Sequence, residues 1–275
     1  MRAARKYGPG VLSIIVSIVV FVIPFCFIIL TAVKSRLQAS LLDFSWPTSF
    51  HLWDNLVQAV SARNFMLVRA FINSTILSVS GVAILVVLSA MVAFVAERRV
   101  SKWSGFINIL VLSGLIIPSA VVPTIWVLQG LGLFKTMPGL ILVEVALQMS
   151  FCVLLFRAFI SSVPKELDEA ALIDGAGSLR LFFQIVFPLL RPVIITVIVV
   201  MSVAIFNDFT GPLYFLPGDE NATVQLTLFN FKSQFDTSWN LLFMDILLIT
   251  IPPLVVFLFF NRQIISGMSS GAIKG

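Results

Sequence analysis

A single histidine, two cysteines and two tyrosines occur in 275 residues, and charged side chains make up only 11%. His51 stands alone in an interfacial stretch and reads as a solvated side chain rather than a ligand or proton relay. No Ser-His-Asp set, no Cys/His metal cluster and no pair of carboxylates in a soluble cleft is evident, which argues against an enzyme. Cys26 and Cys152 both fall inside apolar runs, so they read as small buried side chains rather than a disulfide. The phosphate-cradling pattern G-x-x-x-x-G-K-[ST] is missing as well: the tail GMSSGAIKG has glycines and a lysine but not that spacing, and no strand precedes it. Despite a net charge of +5, no basic stripe interleaved with aromatics marks a nucleic-acid partner.

What is abundant is oil. Apolar residues are 59% of the chain and mean hydropathy is +1.06, far from globular averages. A helix needs roughly 20 apolar residues to cross a hydrocarbon core of about 30 Å. Six runs meet that need, at about 11–33, 70–95, 105–129, 139–160, 191–216 and 240–260. The chain is therefore expected to be an all-α integral membrane protein of six transmembrane helices, one transmembrane domain over 1–275. The first run exceeds a signal peptide's apolar core and lacks a small-x-small cleavage site, so it reads as an uncleaved span.

Orientation follows from the connections, because Lys and Arg are retained on the cytoplasmic side. With the N-terminus inside, the inner segments hold twelve: Arg2, Arg5, Lys6, Arg98, Arg99, Lys102, Arg157, Lys165, Arg180, Arg191, Arg262 and Lys274. The outer segments hold six: Lys34, Arg36, Arg63, Arg69, Lys135 and Lys232. Both termini and the loop at about 161–190 are thus expected in the cytoplasm of a multi-pass plasma (inner) membrane protein. Outside, WPTSFHLWDNLVQAV repeats Leu52, Leu56 and Val60 at helical spacing, as a surface helix would. The polar loop 217–239, with Gly218, Asp219, Glu220 and Asn221 at its start, is long enough to meet a soluble partner.

The inner loop SSVPKELDEAALIDGAGSLRLFFQIVFPLLRP carries its own structural signals. Ser162 can cap, Pro164 fits a first turn, and Glu166, Asp168 and Glu169 suit a helix N-terminus. Gly175 or Gly177 supplies a left-handed stop. A second, apolar helix runs from about Ser178 until Pro188 and Pro192 break it. Ala170 and Ala171 beside Glu169 make a small-residue surface suited to a groove on another protein; packing of the loop on its own bundle is the alternative.

Glu169-Ala170-Ala171, three residues, Gly175, nine residues, Ile185, one residue and Phe187-Pro188 resembles the EAA loop of the membrane-spanning permease subunits of bacterial and archaeal ABC importers. Phe187 replaces the usual leucine. The resemblance implies the type I ABC importer permease fold, with this cytoplasmic helix-turn-helix as the coupling helix that docks into an ATPase subunit through Glu169, Ala170, Ala171, Asp174, Gly175, Ile185 and Pro188. FNDFTGPLYFL at 206–216 and the glycine-rich SGMSSGAIKG tail are similar to the carbohydrate-uptake branch, specifically the second permease of maltose-type importers. The partners so implied are a second permease, two ATPase subunits that hold ATP and Mg, and an extracytoplasmic solute-binding protein, with a sugar, oligosaccharide or polyol as cargo. The EAA loop itself does not name the cargo, so an ABC permease for another solute class, such as an amino acid, phosphate or a peptide, is the alternative.

Polar residues inside spans are costly and face cavities or neighbouring helices. Asn73, Ser74, Ser78, Glu144, Gln148, Asn207, Asp208 and Asp245 are the candidates. Asn207 and Asp208 between Phe206 and Phe209 offer the amide, carboxylate and aromatic faces that sugars use; capping or gluing helices is the competing role. Glu144 and Gln148 share one face of span four. An ion-coupled carrier would instead relay protons or sodium through Glu144, Asp208 and Asp245, although no inverted repeat is traceable. A non-transporting scaffold or sensor subunit would not need these groups.

Overall fold

The computed structural model describes Gly10 and residues 13–98, 104–232 and 236–269, with side chains as far as Phe260. The N-terminal Arg2, Arg5 and Lys6, the loop cations Arg99 and Lys102, and the end of the tail with Lys274 lie outside the described residues, as does the side chain of Arg262. The secondary structure described is helical, and only an isolated bridge between Lys232 and Thr237 pairs extended segments. The principal helices are α1 (Ser13–Ala32), α2 (Leu52–Arg98), α3 (Ser104–Ile116), α4 (Val121–Gly130), α5 (Met137–Ile160), α6 (Glu166–Ile173), α7 (Ser178–Leu189), α8 (Arg191–Phe206), α9 (Thr210–Phe215) and α10 (Trp239–Ser269). Four are long and apolar enough to cross a membrane, or five if α7 and α8, bent by 76° at Leu190, count as one.

Two sequence expectations need correction. The third run, 105–129, is two short helices, α3 and α4, separated at 117–120. Pro118 lies in that break, where its missing N–H and its ring oppose a continuous helix. The fifth run does not stay helical to 216: α8 ends at Phe206, and Asp208 takes the amides of Thr210 (3.2 Å) and Gly211 (2.7 Å) to begin the short α9. A side chain that captures backbone donors competes with helix continuation, and here it wins.

The chain divides into two compact units, Met1–Ala70 with Val224–Ile251, and Phe71–Thr223 with Pro252–Gly275. In the first, the last carbonyls of α1 need partners, as at any helix C-terminus. Asn55 serves the last of them: its Nδ2 donates to Ala32 O (2.8 Å) and, just past the helix, to Lys34 O (2.9 Å). Asn240 in turn donates to Asn55 Oδ1 at 2.8 Å. A small core of Ala32, Ala59, Phe231 and Met244 fills the space beside this chain of amides. The inward stripe at the start of α2 is therefore Asn55, Leu56 and Ala59, while Leu52, expected to repeat with Leu56 and Val60, is exposed. Lys34 is only 1% exposed; its Nζ lies 2.9 Å from both the carbonyl and Oδ1 of Asp43. His51 is partly exposed between Ser49 and Asp54, in keeping with a solvated role. Cys26 is exposed on α1, whose apolar window is only 6% buried, so the buried reading holds for Cys152 alone.

The second unit holds the larger core, in which Leu77, Leu85 and Phe94 of α2 meet Val153, Phe156 and Ile160 of α5 and Val197 and Ile205 of α8. Close helix approach is set by glycine. A Cβ on Gly114 of α3 would fall 2.1 Å from Ser150 Oγ of α5, so those helices touch where no side chain intervenes. The non-helical angles of α2 are confined to Ala62, Arg63, Asn64 and Phe65, leaving residues 66–98 as one uninterrupted helix.

Candidate functional site

The loop at 161–190 is built around α6. Lys165 O accepts the amides of Asp168 (2.9 Å) and Glu169 (3.2 Å), and three acids, Glu166, Asp168 and Glu169, occupy the first turn where the helix dipole favours anions. At the other end Gly175 adopts φ +78°, a value that an L-residue resists. Its amide donates to Leu172 O (3.1 Å) and that of Ala176 to Ala171 O (2.9 Å), the paired bonds of a Schellman stop. Gly177 is extended, so Gly175 alone supplies the turn. Ser162 does not cap: its hydroxyl donates back to Phe159 O at 2.7 Å, and Pro164 precedes the first turn rather than entering it.

The faces of α6 separate cleanly. Ala171 is buried in the core with Leu181, Phe182 and Val186, so it anchors the helix and only Ala170 belongs to the open face. Glu169, Ala170, Leu172, Ile173, Asp174 and Gly175 are exposed, with Ile173 at 86%. A helix that presents an isoleucine, a leucine and two carboxylates outward, closed by a rigid turn, has the composition of a protein-binding surface. Beneath it, Phe182 of α7 packs 5.4 Å from Phe94, 4.9 Å from Phe183 and 5.6 Å from Phe187 between ring centroids. Aromatic pairs of this kind contribute about 0.5–1.5 kcal/mol each beyond area burial. Ile185 is half-buried against the same core, and Pro188 sits exposed in the last turn of α7. The bend falls at Leu190, which is fully buried, with Pro188 before it and Pro192 in the first turn of α8.

Sequence reading did not find the ion pair that fastens this element. Arg98, in the last turn of α2, has Nε 3.1 Å from Asp168 Oδ2 and donates from Nη2 to Val163 O at 2.7 Å. Its side chain is 5% exposed and that of Asp168 13%. Arg157 similarly reaches Glu97 Oε2 (3.3 Å) and Asn108 Oδ1 (2.6 Å). A cation at the end of an apolar run signals topology, and nothing in its sequence context names a partner 70 residues away.

The intramembrane polar candidates resolve into distinct roles. Glu144, buried on α5, and Asp208 face each other over Gly211: a Cβ there would lie 2.9 Å from Glu144 Oε1 and 2.4 Å from Asp208 Oδ2. Gln148 is half-buried one turn along α5. Asn207 ends α8 with its side chain exposed, Phe206 is buried 6.4 Å from Phe71, and Phe209 is half-buried. Asn73, a candidate for the substrate path, donates its amide to Glu220 O and Ala222 O, both at 3.0 Å. That clasp holds the turn Asp219–Asn221, in which Gly218, Asp219 and Glu220 are exposed. Asp245 is fully buried and accepts from Thr227 at 2.8 Å. Among the described residues no group of three His, Cys, Asp or Glu side chains is placed to hold a metal ion.

Comparison with known proteins gives the chain's family. The chain is 32% identical over 281 residues to the melibiose/raffinose/stachyose import permease protein MelC of Bacillus subtilis (strain 168), covering all of both chains. It is 33% identical to the probable starch degradation products transport system permease protein AmyC of Thermoanaerobacterium thermosulfurigenes, covering 98% of this chain and 97% of that one. In fold it matches a chain of a bacterial ABC transporter involved in the import of the acidic polysaccharide alginate, with a TM-score of 0.78, 16% identity, and 95% and 98% of the two chains covered. Residues 85–270, which contain α5 to α9 and the whole EAA loop, match the model of one family, and the chain belongs to it: the binding-protein-dependent transport system inner membrane components.

Proposed function

We propose that this chain is one of two permease subunits in an ABC importer for a sugar, oligosaccharide or polyol. The observation that carries the reading is the exposed acidic and apolar face of α6, closed at Gly175, inside the stretch that defines the family. Sugars are the cargo named for several of its relatives, among them a permease for melibiose, raffinose and stachyose.

In this reading α1, residues 66–98, the α3–α4 pair, α5, α8 with α9, and α10 make six crossings, and both termini face the cytoplasm. The α6–α7 element docks with an ATPase subunit through Glu169, Leu172, Ile173 and Asp174, while Gly175 fixes the angle of approach and Ile185 and Pro188 seat α7. Two ATPase subunits supply ATP and Mg chemistry, and their closure pushes α6 and rocks the bundle. The loop from Gly218 to Asn221 faces an external binding protein. Glu144, Asp208, Asn207 and Gln148 line or support the path that cargo follows.

The test is uptake of radiolabelled melibiose and raffinose into proteoliposomes that hold the assembled transporter and its binding protein. ATP-dependent uptake of either supports the proposal. ATP-dependent stimulation by a non-sugar solute, with no sugar taken up, replaces the cargo; uptake by this chain alone without ATP overturns the assignment.

A further inference from the structure

The two ends of one helix are each fastened to an element assigned a partner. At one end of residues 66–98, Asn73 holds the carbonyls of Glu220 and Ala222; at the other, Arg98 holds Asp168 and Val163. These anchors are about 37 Å apart at 1.5 Å per residue. Between them there is no proline, and the only non-helical angles of α2 lie before Met66. The helix is gripped along its length by the core, with Leu77, Leu85, Ala90 and Phe94 buried, and Gly81 lets Ile205 of α8 approach within 3.3 Å of a notional Cβ.

We propose that residues 66–98 act as a lever that links the 218–222 loop to the coupling helix α6, with Asn73 and Arg98 as its positioning residues. This rests on the importer reading above. Two features make the joints stiff. The outer joint is a fork, one amide nitrogen spanning two carbonyls; at the inner, the Arg98 guanidinium donates to Val163 O and pairs with Asp168 by charge at 3.1 Å, with no hydrogen bond from Nε to the carboxylate. The inner joint is also nearly dry, so it is little screened, and opening it would leave a charge without its partner in a buried site. α6 has few other attachments, since Ala171 is its single fully buried residue and the rest of its outward face is open. A push on that face passes into the bundle through Ala171 and through Asp168, and the second route leads along α2 to the loop. The same lever works in reverse: a binding protein seated on the loop shifts α6 and alters how readily the ATPase subunits close.

The experiment measures ATP hydrolysis by the complete transporter in proteoliposomes, with and without binding protein loaded with melibiose or raffinose. Asn73→Leu and Arg98→Gln are expected to assemble normally and hydrolyse ATP basally, yet each should lose about fivefold or more of the stimulation. The double variant should lose little beyond either single one, because both cut one line of transmission. Arg98→Asp with Asp168→Arg should recover part of the stimulation, and Asp168→Glu most of it. Full stimulation in both single variants overturns the lever, and so does loss that tracks failed assembly in every variant, conservative Asp168→Glu included. Absence of stimulation by either sugar in the unaltered transporter strikes the sugar-importer reading above and is distinguishable from either result.

Discussion

Asp208 Oδ2 accepts the Gly211 amide at 2.7 Å, and only the missing side chain of that glycine lets the Glu144 carboxyl stand beside it. A methyl group placed there would lie 2.4 Å from one carboxylate oxygen and 2.9 Å from the other, distances that side chains do not tolerate. Gly211→Ala is therefore expected to force the pair apart or unwind the start of α9, at a cost of about 1–3 kcal/mol. Uptake should fall while insertion and subunit assembly persist. Uptake equal to that of the unaltered chain would remove this cluster from the transport path.

The turn at Gly175 makes a sharper demand. A β-branched residue at φ +78° pays about 1–2 kcal/mol for the left-handed conformation alone. Gly175→Val should therefore weaken the Schellman stop and reorient Asp174 and Ile173, lowering transport at least tenfold, which ATPase-linked uptake would reveal. Gly177→Ala, at an extended position with open space around its Cβ, should be silent in the same assay.

Ile173 is 86% exposed on a face flanked by Glu169 and Asp174. Ile173→Asp removes an apolar anchor without touching the core, so the chain should fold and insert as before. Co-purification with the ATPase subunit should drop, because truncating a central interface anchor costs about 2 kcal/mol or more. An unchanged yield of complex would place the docking face elsewhere.

The buried Lys34 gives a pH dependence. Lys34 and Ser45 hold the Asp43 carboxyl below the usual carboxylate range. A depressed folded-state pKa means stability that is present above the unfolded value, near 3.9, and is lost as pH falls through the folded one. Thermal melting in detergent should thus fall off in acid more steeply for the unaltered chain than for Asp43→Asn, which already lacks the charge. Parallel pH profiles would show that the pair contributes nothing.

Asp245 separates transport by an ATP-driven bundle from ion relay. It is buried and accepts from Thr227, so Asp245→Asn preserves shape and most of the hydrogen bonding. Uptake should survive that change, whereas Asp245→Leu removes one acceptor of the Thr227 hydroxyl, which keeps Val224 O at 2.7 Å, and costs about 1 kcal/mol of stability. Loss of uptake in the amide variant with a normal melting temperature would favour a relay.

Legibility in the sequence followed the range of the forces involved. The glycine stop and the acids at the start of α6 were readable because capping and dipole effects act within one turn. The apolar runs were readable because the membrane selects composition, yet composition could not show that Pro118 splits the third run or that Asp208 halts α8. The first depends on whether a proline's missing N–H stops a helix or only kinks it, the second on which backbone amides the Asp208 carboxylate captures. By spacing Ala171 belongs to the docking surface as much as Ala170 does, since spacing alone does not say which of two adjacent alanines faces the core. The joints at Asn73 and Arg98 escaped entirely: each pairs residues more than 60 positions apart, and one polar group in an apolar helix looks the same whether it meets cargo or a carbonyl.

The central claim is that α6 is the contact through which an ATPase subunit drives this permease. Its most direct measurement is ATP hydrolysis and subunit composition of the transporter purified through this chain, with and without Glu169→Lys. The account predicts a second permease and an ATPase in the preparation, and hydrolysis or its coupling to uptake sharply weakened by the charge reversal. A chain that purifies alone, or a complex whose coupled hydrolysis is indifferent to residue 169, would contradict it.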